Sequence, residues 1–153
     1  MSRLLRLALA TVILGALAFG TVASTTAGGP KVLDASMVGI PVGGKVLQGQ
    51  IGGGVPWALD EGRVMLFADG RLHVEVEGLV VAASGVNPIG TGRAIITCDG
   101  ATAFSSPAVP FSMTGDAEVN VRATGLPSPC LAPAVFFSGV TANGDRWFAV
   151  TGS

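Results

Sequence analysis

The side chains that come nearest to a metal-binding pattern are His73, Glu75 and Glu77. Alternate residues of a β-strand lie on one face, and an imidazole beside carboxylates suits zinc or copper. Three ligands on one strand cannot close a compact tetrahedral site alone. We therefore interpret them as a solvated strand face, with Glu75 or Glu77 paired to a cation such as Arg122, and predict no metal site.

Catalytic patterns are weaker still. His73 is the only histidine, so a serine–histidine–aspartate set would have to use it from the middle of a strand. The chain has no G-x-S-x-G run, and nothing singles out one pair among its carboxylates for glycoside cleavage. The glycines at 52–54 lack the lysine and following helix of a phosphate loop. The sequence predicts no catalytic residue, no cofactor and no enzymatic activity.

Trp57 follows a glycine-rich loop that ends in Pro56. Such an aromatic residue can be an exposed anchor for a ligand or a partner. It can equally fold back and fill the open end of a β-sandwich. Trp57 and His73 are the two possible ligand contacts that the sequence offers.

The chain has two cysteines, Cys98 and Cys130. In an exported protein an oxidising compartment favours a disulfide between them. A reactive thiol or a thiolate metal site would need a nearby histidine or a second cysteine pair. In the chain-entropy model a loop of this size is worth about 3–4 kcal/mol.

Export is predicted by the first 23 residues, which resemble a helical secretory signal peptide. A short basic start with Arg3 and Arg6 precedes an apolar stretch, and small residues follow, with cleavage expected between Ala23 and Ala27. After cleavage we expect a secreted protein, extracellular or associated with the cell surface, that is not embedded in a membrane.

The charge of the chain argues against one class of partner. The formal net charge is −1, and loss of Arg3 and Arg6 takes it to −3. Only 12% of the residues are charged, and no basic patch is visible. Nucleic acid is therefore excluded as an expected partner, because phosphate neutralisation needs clustered lysine and arginine.

The clearest strand pattern is at 63–79, where Leu72, Val74 and Val76 alternate with polar residues. Asp69-Gly70 between two apolar runs predicts a tight hairpin turn. The pattern returns 47 positions later, with Val119 in the place of Leu72, and both copies end in Gly-Leu. We interpret 63–79 and 111–126 as two copies of one strand–turn–strand unit, which face each other or lie side by side in one fold.

The remaining chain is also rich in strand and turn signals. Residues 24–44 are expected to be a flexible or extended lead-in, with a short strand or an extended arm possible from Lys31. Residues 45–153 are then expected to form the β domain, with 45–51 as its first core strand. About eight or nine short strands with close turn signals predict an all-β, antiparallel β-sandwich.

Three segments carry a resemblance: 53–57 (GGVPW), 69–79 (DGRLHVEVEGL) and 126–133 (LPSPCLAP). Together they resemble a group of small secreted proteins of high-GC Gram-positive bacteria that have no assigned function. The alternation ending in Gly-Leu is also similar to CHRD domains, which are secreted β modules. CHRD domains usually carry histidines after Gly-Leu, whereas 80–83 has none, so no functional residues are transferred.

These observations predict a secreted, non-catalytic β-sandwich module with a binding or structural role at or outside the cell surface. Its partner would be a protein or a component of the envelope. The alternative is a carrier that holds a small apolar ligand or lipid between the sheets, with Trp57 at the mouth of the cavity.

Overall fold

The computed structural model describes residues 29–152, so the predicted signal peptide and its cleavage region lie outside the described residues. Within 29–152 there is no helix, and therefore none that could span a membrane. Thirteen strands form the fold: β1 Lys31–Gly39, β2 Val46–Leu47, β3 Gln50–Ile51, β4 Trp57–Ala58, β5 Glu61–Phe67, β6 Arg71–Glu77, β7 Val80–Val81, β8 Thr91–Cys98, β9 Ala101–Ser105, β10 Val109–Pro110, β11 Ala117–Arg122, β12 Ala134–Thr141 and β13 Gly144–Thr151.

The main sheet is antiparallel, with the order β10-β8-β12-β13-β1-β5-β6-β11 and with β9 also paired to β8. β1 belongs to both halves, because Lys31–Ser36 pairs with β5 and Met37–Gly39 pairs with β13. The sheet curls at β1 into two facing layers. The predicted all-β, antiparallel β-sandwich is confirmed, and eight strands have five or more residues.

β1 differs from the lead-in expected over 24–44, because its residues form the strand that joins the two layers. Val32 is the extra residue of a bulge against β5 and is 58% exposed. After it, Leu33, Ala35 and Met37 alternate inward while their neighbours stay exposed. The adjacent apolar pair Val32-Leu33 and the small Ala35 conceal this period in the sequence. The β domain therefore includes the chain from Lys31.

The repeated segments are only partly alike in structure. In the first copy, β5 and β6 form the predicted hairpin around the Asp69-Gly70 turn, and Gly70 has φ = 85°. In the second copy only β11 is a strand, because 111–116 forms a turn in which Phe111 is buried. The second hairpin is thus absent from the described residues. β11 instead pairs with β6, which places the two copies side by side.

The segment Lys45–Ile51 is not the predicted core strand. It folds into the β2–β3 hairpin, whose turn residues Gln48 and Gly49 have positive φ angles of 46° and 74°. The neighbouring Gly52 and Gly53 are buried rather than part of an exposed loop. A β-carbon on Gly53 would lie 2.9 Å from the ring of Phe148, so only glycine allows this close approach.

The core lies on both faces of the β8–β12–β13 layer. Phe137 points to the other layer and packs edge-on against Phe111, with ring centroids 5.1 Å apart. Phe136 points the opposite way and packs against Trp147. Both phenylalanines are fully buried, because the β2–β3 hairpin lies over the side that carries Trp147.

Cys98 and Cys130 form the predicted disulfide, with their Cα atoms 5.1 Å apart. Cys98 is the last residue of β8, and Cys130 lies in the proline-rich connector 126–133, which has no strand. The bridge fixes this connector to the sandwich. Asp99-Gly100 forms the tight turn between β8 and β9, and Asn143 and Gly144 lie at the turn between β12 and β13.

Candidate functional site

The outer side of β5, β6 and β11 carries many charged and polar side chains, and we name it the charged face. Val64, Val74 and Val119 form one cross-strand row that is fully buried on the inner side. The next row, Met65, His73 and Asn120, therefore faces outward. The alternation that fills the core also determines which polar side chains meet on this face.

His73 is at the centre of the charged face and is partly shielded, with 23% of its side chain exposed. Its Nδ1 is 2.8 Å from Oδ1 of Asn120. Carboxylate oxygens of Glu75 and Glu118 lie 3.8 Å from Nε2 and 3.7 Å from Nδ1, respectively. The ring is held by an amide and sits between two carboxylates.

One end of the charged face is acidic. The strand register places Glu75 directly opposite Glu118 and places Glu77 opposite Glu61. Like charges in such positions repel each other, which destabilises the fold slightly but makes the surface attractive to cations. An open depression of about 500 Å³ lies here, lined by Glu75, Val76, Glu77, Asp116, Ala117 and Glu118.

Asp116 is the most firmly held carboxylate of the acidic end. It accepts hydrogen bonds from the hydroxyl of Thr114 at 2.6 Å, the backbone N–H of Gly78 at 3.0 Å and the hydroxyl of Ser112 at 3.1 Å. These hydrogen bonds lower the pKa of Asp116, with Thr114 making the largest contribution, and they outweigh the opposite effect of desolvation. Asp116 is thus a fixed negative charge at neutral pH.

The other end carries Arg71 and Arg122, both paired to Asp69. Nε of Arg71 is 2.9 Å from Oδ2 of Asp69, and Arg122 donates to the Asp69 carbonyl oxygen. Desolvation alone would raise the pKa of Asp69, but the Arg71 hydrogen bonds and the two positive charges hold it below its ordinary value. The predicted pairing of Arg122 with Glu75 or Glu77 is therefore wrong, because Arg122 forms its ion pair with Asp69 in the neighbouring turn.

Trp57 is not an exposed anchor. It is 5% exposed and stacks on Phe148, with ring centroids 3.8 Å apart and planes 12° apart. Short pairing of β4 with β7 holds its backbone, and the ring of Phe111 lies nearby, with its centroid 6.4 Å from that of Trp57. Trp57 therefore fills the end of the sandwich, and the predicted ligand contact at this residue is not available on the surface.

An apolar cleft of about 380 Å³ lies between the end of β5 and the proline-rich connector 126–133. Its walls come from β1, β5 and the connector that the disulfide fixes, and they include Val32, Leu66, Phe67, Leu126, Pro127 and Pro133. The cleft is on the surface rather than between the layers, where fully buried side chains such as Ile96 and Val135 fill the space.

The structure brings His73 together with residues that the sequence did not single out. Asn120 and Glu118 approach it only because β11 pairs with β6 in this register. The internal repeat was the one signal in the sequence that could have indicated this approach, because it predicted two similar strands in one fold. Among residues 29–152, no three histidine, cysteine, aspartate or glutamate side chains are placed to hold a metal ion.

No protein-family model, no curated protein and no solved structure matches the chain.

Proposed function

We propose that this protein is an exported, non-catalytic β-sandwich module that binds a cationic partner through the acidic end of its charged face. One observation carries the proposal. Glu75, Glu77 and Glu118 converge on one depression, and none of the ion pairs within residues 29–152 joins them to a lysine or an arginine. Arg63, the cross-strand neighbour of Glu75, pairs with Asp34 instead, so no arginine or lysine ion pair neutralises these carboxylates within residues 29–152.

The rigidity of this end supports a binding role. Glu75 and Glu118 lie on paired strands, and Asp116 is fixed by three hydrogen bonds. Carboxylates that are already in place lose little conformational entropy on binding, and a cleft of one charge sign concentrates counter-ions. The partner would be a protein or an envelope component that presents lysine, arginine or other amine groups.

The disulfide supports a location outside the reducing cytoplasm. A bridge between Cys98 and Cys130 forms and persists in oxidising compartments and is rare in reducing ones. Together with the predicted signal peptide, it favours a role at or outside the cell surface.

A lysine-rich peptide tests the proposal directly. We expect it to bind with an affinity that falls as salt is added, because exposed charges are screened. The double variant Glu75→Gln/Glu118→Gln should weaken binding by about fivefold or more, and Asp99→Asn, in an exposed turn, should leave it unchanged.

Two results would reject the proposal. Equal weakening by Asp99→Asn would mean that net charge, rather than the acidic end, attracts the peptide. A screen that revealed robust hydrolysis, lost on His73→Ala, would show that the protein is an enzyme.

A second candidate function is the carriage of a small apolar ligand. The apolar cleft favours it, since about 380 Å³ accommodates a small molecule and its walls are mostly aliphatic and aromatic. The site would then be this cleft rather than a space between the layers behind Trp57. Binding of an apolar fluorescent dye that Leu126→Asp abolishes and Val86→Asp preserves would support it; binding that both variants preserve would oppose it.

A further inference from the structure

The β2–β3 hairpin and its flanks, residues 42–55, have an unusual distribution of polarity. We name this segment the apolar hairpin. Five of its aliphatic side chains are exposed, with exposed fractions from 42% to 67%: Val42, Val46, Leu47, Ile51 and Val55. Val46 and Ile51 are direct cross-strand neighbours, so their side chains form one apolar pair on the surface.

The two glutamines of the apolar hairpin point toward the protein instead. Gln48 is hydrogen-bonded to the hydroxyl of Thr97 on β8, and Nε2 of Gln50 donates to the hydroxyl of Thr102 on β9 at 2.8 Å. The indole N–H of Trp147 donates to the carbonyl oxygen of Gln50. The segment is thus anchored by its polar groups and offers its aliphatic side chains outward, the reverse of a usual surface hairpin.

The area of this surface does not suit a second copy of the chain. The five partly exposed side chains present about 400 Å² of apolar surface, comparable to the largest patch on a typical monomer. Two such patches would bury about 800 Å² in total, whereas stable interfaces bury about 1,200–2,000 Å². This surface is therefore too small to hold two copies of the chain together, but it is large enough for shallow insertion into a lipid interface.

The charge of the segment favours a lipid surface further. No carboxylate occurs between Asp34 and Asp60, and the one charged residue in that interval is Lys45, which is exposed. A cation beside aliphatic side chains can remain among headgroups while its neighbours enter the apolar region. The β8–β9 turn, which contains Asp99, lies beside Gly49 at the tip of the apolar hairpin. The positive charge is therefore confined to the surroundings of Lys45.

The backbone also suits such an environment. The N–H of Gly44 donates to the carbonyl oxygen of Gly53 at 2.6 Å, and the N–H of Gly52 donates to that of Lys45 at 2.7 Å. Paired backbone groups remove the main cost of bringing a peptide segment into an apolar phase.

We propose that the apolar hairpin docks on the surface of a phospholipid bilayer that contains anionic headgroups, with Val46 and Ile51 inserted at the acyl boundary and Lys45 among the phosphates. The protein binds peripherally and does not cross the bilayer. This inference depends on the proposed location at the cell surface but uses none of the charged-face residues.

Co-sedimentation with vesicles of phosphatidylcholine and phosphatidylglycerol tests the inference. The disulfide-bonded protein should bind, and Val46→Ser/Ile51→Ser should reduce the partition coefficient about tenfold or more, because two aliphatic side chains no longer leave water. Lys45→Gln should reduce it severalfold on these vesicles and little on pure phosphatidylcholine. Met113→Ser, which alters another exposed aliphatic residue (75% exposed), is the matched control and should bind like the unmodified protein.

Three outcomes would overturn the inference. These are no binding to either vesicle, an equal loss of binding for Met113→Ser, and a dimer in solution that Val46→Ser/Ile51→Ser dissociates. Retained vesicle binding by Glu75→Gln/Glu118→Gln separates this surface from the charged face, so failure of the lysine-rich peptide experiment leaves the lipid result interpretable. Unchanged thermal unfolding of the serine variants would show that they fold.

Discussion

Nδ1 of His73 lies 2.8 Å from Oδ1 of Asn120, at the midpoint of the strand pair that joins the two copies of the repeat. The copies are offset by 47 positions, and 73 plus 47 is 120, so these residues are equivalent to each other. Antiparallel pairing places equivalent positions opposite each other at one point only. His73 and Asn120 thus mark the local two-fold relation between β6 and β11.

This relationship predicts the tautomer of His73. The amide nitrogen of Asn120 donates to Oε1 of Glu118, so its Oδ1 faces the imidazole as an acceptor. Nδ1 must then carry the proton in the neutral ring. We expect ¹⁵N chemical shifts of a protonated Nδ1 and an unprotonated Nε2. Asn120→Ala should release this preference, and an unmodified protein with its proton mainly on Nε2 would contradict the assignment.

The three strands β5, β6 and β11 show which parts of the fold the sequence could predict. β5 and β6 were recognisable because strict alternation and an Asp-Gly turn are local signals. The repeat left a facing and a side-by-side arrangement open, because pairing between distant strands has no local signal. The approach of Glu118 and Asn120 to His73 depends on the register of β6 with β11 and was not predicted. Pairing between distant strands depends on the whole sandwich, so the acidic end of the charged face could not be assembled from the sequence.

Three further differences have specific physical causes. β1 was hidden by the bulge at Val32, which puts two apolar residues in succession. The β2–β3 hairpin was hidden because Gln48, a residue that seldom turns a chain, adopts a positive φ beside Gly49. Trp57 follows a loop of residues typical of surfaces, yet Gly53 allows the ring to reach Phe148. Close glycine packing is decided by tertiary neighbours rather than by sequence pattern.

Asp116 should link stability to acid pH. Its pKa is lowered in the folded protein, so its contribution is fully present above the unfolded value of about 4 and is lost as pH falls through the folded value. Asp116→Asn should therefore lower the urea midpoint at pH 7 and have less effect near pH 3.

Thr114→Val provides the companion measurement, because it removes the strongest of the hydrogen bonds to Asp116. It should raise the pKa of Asp116 toward its ordinary value in a ¹³C carboxyl titration. An unchanged titration would exclude Thr114 as the principal cause of the shift.

Gly39 should not tolerate a side chain. A β-carbon at this position would lie 2.3 Å from the carbonyl oxygen of Trp57, which is backbone and cannot move aside cheaply. We expect Gly39→Ala to lower the free energy of unfolding by about 1–3 kcal/mol through overpacking. Gly90→Ala is the matched control, since nothing lies within 4 Å of its β-carbon, and denaturant unfolding of both variants should show a loss for Gly39→Ala alone.

Removal of Trp57 should be the most damaging aromatic substitution at the open end of the sandwich. Its ring is 5% exposed and stacked on Phe148, so Trp57→Ala leaves a cavity and should cost about 3–5 kcal/mol. The unmodified protein should resist acrylamide quenching, because Trp147 is also buried, at 3% exposure. Strong quenching that Trp57→Phe removes would instead show an exposed Trp57.

The Cys98–Cys130 disulfide should contribute mainly by limiting the unfolded chain. The bridged residues are 32 positions apart, and the chain-entropy model assigns about 3–4 kcal/mol to a loop of this length. We expect Cys98→Ser/Cys130→Ser to lower Tm by about 10–20 °C. Reductant should reproduce this shift in the unmodified protein and leave the double variant unchanged. The hydrophobic core around Phe136 and Phe137 does not include the connector. The double variant should therefore keep its β-type circular dichroism spectrum below its lower Tm. Loss of that spectrum at low temperature would show that the bridged connector is needed to form the sandwich, and not only to stabilise it.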